Sequence, residues 1–370
     1  MAAWAVKAAW PSLLAAVSVL ATSAPTLSAQ ETPPAEGPGD VRTVVLDKQA
    51  AQKHYLLRGY ARDLPDDHKL QIVFNTYYDP SKGIRERVQS VTPIDADGRP
   101  DGEAVHLLPI HLTAQYRSGV KDGIERVYGL SPRGGEYVKA EIPWKSGKVH
   151  GVKKTYHPNK AILNETAYVE GTESGQGKSY TRDGKLLRVV PYKDGARHGV
   201  QTDYWPRTEK VRRTIPFQTG KIEGVVKEYY PDGKPHRDIP FKSNLRHGVE
   251  KELAADGKLL RVTPYRDGAR DGETIENHPQ TGKPARITPY KTGLVHGVVR
   301  EYHVNGKLKR QTPFAKEVVH GIENEYDPKG DLIRTRYWLN GREVGKPHFE
   351  KNFKPADPAA TAPAPASKRP

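Results

Sequence analysis

At 370 residues the chain is long enough for two or three ordinary domains, yet only 36% of it is hydrophobic and its mean hydropathy is -0.74. With 34 glycines and 31 prolines, that composition excludes thick globular cores and favours many tight turns. A net charge of +15 and a pI near 9.6 favour anionic partners, and the absence of cysteine excludes disulfides, thiolate metal sites and lipid attachment through a thiol.

Residues 1–29 read as an export signal. Lys7 precedes the short apolar run "AAWPSLLAAVSVLA", and "TLSA" places small residues before a cut between Ala29 and Gln30. Pro11 and Pro25 interrupt the span, which favours cleavage over the alternative, retention as an N-terminal membrane anchor. Residues 30–53, opening with "QETPPAEGPGD", read as a Pro/Gly-rich linker and lead-in. Residues 54–118 read as degenerate repeats, 119–350 as a repeat array, and 351–370 as a Pro/Ala-rich tail expected to be disordered. No other stretch is apolar enough to span a membrane.

The stretch "VEGTESGQGKSYTRDGK" (169–185) contains the closing letters of a phosphate-binding loop. The loop needs G-x-x-x-x-G-K-[ST] followed by a helix. Here Gly171 precedes Gly177 by six positions, and "YTRDGK" announces a turn. These glycines belong to a repeat instead. Pairs four apart recur at Gly98/Gly102, Gly119/Gly123, Gly147/Gly151, Gly171/Gly175, Gly195/Gly199, Gly220/Gly224, Gly268/Gly272, Gly293/Gly297 and Gly341/Gly345, while Asn244 and Glu317 replace the first glycine before Gly248 and Gly321. From Gly151 onward the step is 24 or 25 residues.

"GVVKEYYPDGKPHRDIPFKSNLRHG" (224–248) shows the anatomy. A strand leaves the second glycine and reaches a tyrosine, a "DGK" turn supplies a hairpin signal, and a second strand ends on proline and an aromatic residue. Proline donates no ladder hydrogen bond and belongs at a strand end. A helix broken by Gly and Pro at these intervals is excluded.

The G-x-x-x-G turn, the glycine-to-tyrosine interval and the "NGK"-type hairpin resemble MORN-type repeats, in the bacterial variant found in proteins labelled YwqK-type antitoxins. The resemblance runs from about Gly119 to Gly345 and decays upstream, where "YYDPSKGIRERVQSVTPIDADGRPDG" is a stretched copy. It implies an all-β fold, an elongated single-layer antiparallel meander, used as a scaffold rather than an enzyme. The antitoxin label sits poorly with an exported chain, so only the fold is carried over. Leu253 and Asn277 replace the tyrosine in two copies.

Two charged columns emerge on aligning the copies. Arginine recurs before the proline at Arg188, Arg213, Arg237, Arg261, Arg286, Arg310 and Arg334, and an acid recurs on the first strand at Asp203, Glu228, Glu252, Glu276, Glu301 and Glu325. A two-residue turn at Asp232-Gly233 sets Glu228 opposite Arg237, and the other copies follow, so these pairs are expected to hold register. A second basic column comprises Arg126, Lys154, Lys178, Lys227, Lys251 and Arg300. Alternation puts it on the face of the tyrosines two positions on (Tyr128, Tyr156, Tyr180, Tyr229 and Tyr302) and opposite the Arg/acid face. Two readings stand for that column: lysine stems covering tyrosine rings, or an anion-binding track, favoured by the lack of an acidic column at the matching position.

His150, His198, His247, His296 and His320 each precede the turn glycine. Copies lie roughly 10 Å apart in a flat ladder, so no two share a metal. No G-x-S-x-G or H-E-x-x-H motif occurs, and "DADGRPDGE" (95–103) lacks the glutamate of a calcium loop. The expectation is an exported, non-enzymatic scaffold without cofactor, metal, nucleic acid or small-molecule substrate. Its partner is an anionic envelope component (lipid head groups or acidic glycan), or alternatively a protein, including a secreted toxin. N-terminal sequencing of the extracellular or periplasmic protein should begin at Gln30. Recovery of intact Met1 in the membrane pellet would establish an anchor instead.

Overall fold

The computed structural model describes residues 41–53, 57–79, 83–107, 111–132 and 134–354. The expected signal segment, residues 30–40 of the expected linker and lead-in, and the tail from residue 355 lie outside the described residues. The chain divides into an N-terminal segment, Met1–Gly184, and a C-terminal segment, Lys185–Pro370. Each is an open antiparallel meander in which hairpin follows hairpin, the all-β repeat architecture expected from the sequence.

A repeat of the C-terminal segment runs as follows. The six-residue strand Gly224–Tyr229 pairs with the eight-residue strand Pro235–Lys242, which then pairs with the two-residue strand Leu245–Arg246. His247, whose N–H donates to the Pro240 carbonyl at 3.0 Å, breaks the line before the next strand, Gly248–Leu253.

The two turns exchange the types expected of them. The two-residue turn lies at Ser243-Asn244, where both φ angles are positive (48° and 68°), the type I′ geometry that suits strand twist. At Asp232-Gly233 the loop has three residues: the Tyr230 N–H donates to the Lys234 carbonyl at 2.9 Å, and only Gly233 has positive φ. Tyr229 therefore faces Pro235, and His236 is bulged out before Glu228 meets Arg237. The expected pair forms through a shorter register and a bulge.

From Gly199 to Gly321 the second glycine of the repeat is fixed by two constraints, positive φ and a facing proline. Gly272 has φ +114°, and a Cβ there would stand 2.9 Å from Cγ of Pro264, on the preceding hairpin. Proline and glycine are complementary halves of one contact between repeats.

Both ends depart from the expected boundaries. The lead-in holds a strand β1 (Val41–Asp47) and a helix α1 (Lys48–Lys53), and a second helix α2 (Arg58–Arg62) follows in the stretch expected to be a degenerate repeat. Ala51, Leu57, Ala61 and Leu64 bury themselves on Leu70, Ile72 and Val91 of the long hairpin β2 (Lys69–Asp79) and β3 (Gly83–Ile94). Apolar side chains at helical spacing outweigh the flanking polar composition. At the other end a helix α3 (Lys346–Asn352) crosses the boundary drawn between 350 and 351. Phe349 is buried against Tyr337, and Phe353 stacks on His320.

Gly272→Ala should cost about 2 kcal/mol, from positive φ and the Pro264 contact together. Urea melts check this. An unchanged midpoint would show that the proline contact is dispensable.

Candidate functional site

In the C-terminal segment the arginines and acids form one continuous ladder rather than isolated hairpin pairs. Arg237 is opposite Glu228 in its own hairpin and opposite Glu252 in the next repeat, and the alternation runs from Arg188 through Asp203, Arg213 and so on to Arg334. Asp203 is the most enclosed acid, 2.6 Å from Arg188 and 2.9 Å from Arg213. Burial raises its carboxyl, but hydrogen bonds from Arg188, Gln201 and Arg213 outweigh that and hold it below the usual range. Arg261 lies 2.5 Å from Glu252, and Arg310 lies 3.3 Å from Glu325. Beneath the ladder, buried Glu250 takes Arg237 and Arg246 as partners, and buried Glu323 accepts from Thr312 at 2.8 Å.

The second basic column does not stand free of acids. In the N-terminal segment Arg126 and Lys154 both face Glu141, and Lys154 and Lys178 both face Glu165. Arg126 is 3.1 Å from Glu141, and Lys154 is 3.7 Å from Glu165. Tyr156 and Tyr180 donate to the same two carboxylates at 2.6 and 2.8 Å. Burial, then these hydrogen bonds, push each phenol up to about 12. Tyrosines and cations do share a face, as expected, but around carboxylates. Tyr128 instead stacks on His111 at 4.4 Å.

In the C-terminal segment Lys227 and Lys251 are exposed and flank Asp238, which is opposite both. Arg300 pairs with Glu273 at 3.3 Å, beside Tyr302, whose phenol is raised mainly by burial. Tyr229 sits half-buried at the hairpin end opposite Pro235. The premise that no acid matches this column is therefore corrected: Glu141, Glu165 and Asp238 occupy the facing strand.

Three sets of residues that sequence reasoning left without a role stitch the turns together. The lysine that closes the hairpin turn reaches a backbone carbonyl of the following turn in five successive repeats: Lys210 to Asp232 at 2.5 Å, Lys234 to Ala255 at 3.0 Å, Lys258 to Gln280 at 3.2 Å, Lys283 to Asn305 at 3.4 Å, and Lys307 to Lys329. Where the residue after the tyrosine position is a tryptophan, tyrosine or histidine, its side chain does the same. Trp205 donates to the Tyr229 carbonyl at 3.2 Å, Tyr230 to Leu253 at 2.8 Å and His303 to Tyr326 at 3.0 Å. On the other edge the residue before the second glycine accepts a turn N–H. Glu223 accepts from Ser243 at 2.8 Å, and the His320 Nδ1 accepts from Asn340 at 3.2 Å. That interchange of glutamate and histidine explains the histidine column as turn acceptors. Among the described residues no cluster of His, Asp and Glu is placed to hold a metal.

The MORN repeat variant family matches residues 173–194, 222–243 and 295–316. Each match begins two residues before a second glycine (Gly175, Gly224, Gly297), so family and chain agree in phase. The chain carries MORN-type repeats. No curated protein matches it. Among solved structures, a porin-like protein from Bacteroides uniformis aligns over 75% of this chain and 89% of its own at 13% identity, with a TM-score of 0.13. The TcdB2-TccC3 structure aligns over 83% of this chain and 19% of its own at 12% identity, with a TM-score of 0.14. At those scores neither likeness carries an argument.

Arg261→Glu would set three carboxylates in line, with Glu252 and Glu276 on either side, and should cost about 1–2 kcal/mol. Adding Glu252→Arg should recover part of it, seen as returning hydrogen-exchange protection around residues 248–266. Additive losses would mean that the two side chains are not coupled.

Proposed function

We propose that this protein is an exported, non-enzymatic binding scaffold whose C-terminal segment presents one sheet face to a protein partner. The observation that carries the reading is a row of exposed apolar side chains on the face away from the charge ladder. Val200, Val225, Val249 and Ile322 are 40–53% exposed and lie opposite Pro216, Pro240, Pro264 and Tyr337. By alternation Val262, Ile275 and Ile287 share that face, as do Tyr229, Leu253 and Tyr302. Apolar and aromatic side chains are the composition of a protein interface core, and the cations that share this face, Lys227, Lys251 and Arg300, are met on it by Asp238 and Glu273.

The anionic-envelope reading has less support on this face. Its cations are interleaved with Asp238 and Glu273, and in the N-terminal segment with Glu141 and Glu165. A secreted toxin is one partner that the protein reading admits. Export rests on the short apolar run before Gln30 and on the small residues at the cut.

The test is capture from the organism's own envelope fraction by the mature protein, with Val200→Asp, Val225→Asp and Val249→Asp combined as the variant. Capture should survive about 0.5 M salt, where screening confines charge attraction to a few ångströms, and the triple variant should lose it with an unchanged β-sheet circular dichroism spectrum. Capture that vanishes with salt and survives the triple substitution would overturn the protein reading in favour of the anionic one.

A further inference from the structure

The last repeat ends differently from the others, and the difference opens a cleft. Its strand Leu332–Leu339 turns at Asn340-Gly341 into the three-residue strand Arg342–Val344. Gly345 then stands where other repeats place the second glycine. Its φ is -68° instead of positive, and the chain leaves the sheet for α3 rather than starting another strand. α3 lies across the sheet face with Phe349 on Tyr337. Between the helix and the final turn is an open cleft of about 580 Å³, within the size range of small-molecule sites.

One side of the cleft is apolar and the other cationic. Half-buried Ala315, Leu339 and Val344 form the apolar wall, while Arg342, His348 and Lys354 are exposed along it. None of the described residues that line it is acidic. Arg342 is opposite Leu339, so no ladder carboxylate faces it. The acids nearby are placed elsewhere. Glu343 is opposite Trp338, on the other face of the sheet, Glu350 lies 3.8 Å from Lys346, and Glu317 is at the tip of the preceding turn, outside the lining. His320 holds the two sides together: its Nε2–H donates to the Lys354 carbonyl at 2.8 Å, and its Nδ1 accepts the Asn340 N–H at 3.2 Å.

We propose that this cleft binds an organic acid, a single carboxylate carried on an apolar body. The Arg342 guanidinium and the Lys354 ammonium meet the carboxylate. The apolar body lies along Ala315, Leu339 and Val344 in place of water. Inorganic phosphate would satisfy the cations but leave that wall wet. The inference concerns the end of the array and is independent of a protein partner on Val200, Val225 and Val249.

The probe is phenylacetate, titrated into the full chain by calorimetry at low salt, with its neutral amide and inorganic phosphate as the other arms. The parent should bind the acid saturably, and at least about tenfold more tightly than the amide or phosphate. Arg342→Gln combined with Lys354→Gln should weaken the acid at least about tenfold. A charge-matched control, Lys316→Gln combined with Lys351→Gln, changes exposed neighbours that do not line the cleft. It should bind within about twofold of the parent, with matching circular dichroism spectra. Equal losses in both variants would reduce the effect to net charge and overturn the site. Amide bound as tightly as acid would overturn the role of the cations, phosphate bound as tightly would overturn that of the apolar wall, and a parent that does not bind phenylacetate would overturn the proposal outright.

Discussion

At Gly272 the chain turns through a φ of +114° beneath the ring of Pro264, with no room for a Cβ between them. The same approach recurs at Gly199, Gly224, Gly248, Gly297 and Gly321, each against the proline of the hairpin before it. A one-residue slip in a sheet sends every side chain to the other face. Because the contact joins neighbouring repeats, it repeatedly resets the pairing of one hairpin with the next. The charge ladder and the valine row each exist because that register returns every 24 or 25 residues.

A single layer has no opposing layer to bury against, so stability comes from neighbour to neighbour. Side-chain donors bonded to the next turn's carbonyls supply much of the coupling along one edge. The last repeat shows what the pattern is for. Asp327 and Asp331 stand where other repeats place donors, and Tyr337 replaces the proline. Among the described residues no further hairpin follows to receive a donor from that turn. Instead α3 lays Phe349 and Phe353 over Tyr337 and His320. The long hairpin β2–β3, with α1 and α2 packed on it, gives the array a buried start.

The repeat, its strands and the Glu228/Arg237 register were legible because glycine, proline and charge recur at a fixed step. The caps were not, because each occurs once and its apolar residues are sparse. The misreading of the second basic column has a clear source. Alignment on the second glycine compares like strands and hides the facing one. The arithmetic that sets Glu228 opposite Arg237 also sets Lys227 opposite Asp238, and that acid was within reach. Glu141 was harder, since the longer loop between Tyr128 and Tyr137 obscures the register that puts it opposite Arg126. The lysine of "DGK" was read as turn composition alone, because its partner lies one repeat away.

Charge is distributed by position within the repeat. On strands, a cation is met by a carboxylate on the neighbouring strand, and a chain of such pairs contributes to register more than to stability. At the two-residue turns the geometry differs: a turn needs positive φ and backbone partners, not a facing charge. Lysines and arginines there are constrained by no ladder, and successive repeats can accumulate them on one side without disturbing pairing. The strand interior thus holds its charge in a ladder that sets register, whereas charge at the turn edge belongs to no ladder. In a repeat architecture that separation lets the surface chemistry of the edge change from copy to copy while glycine, proline and the ladder keep the sheet in register.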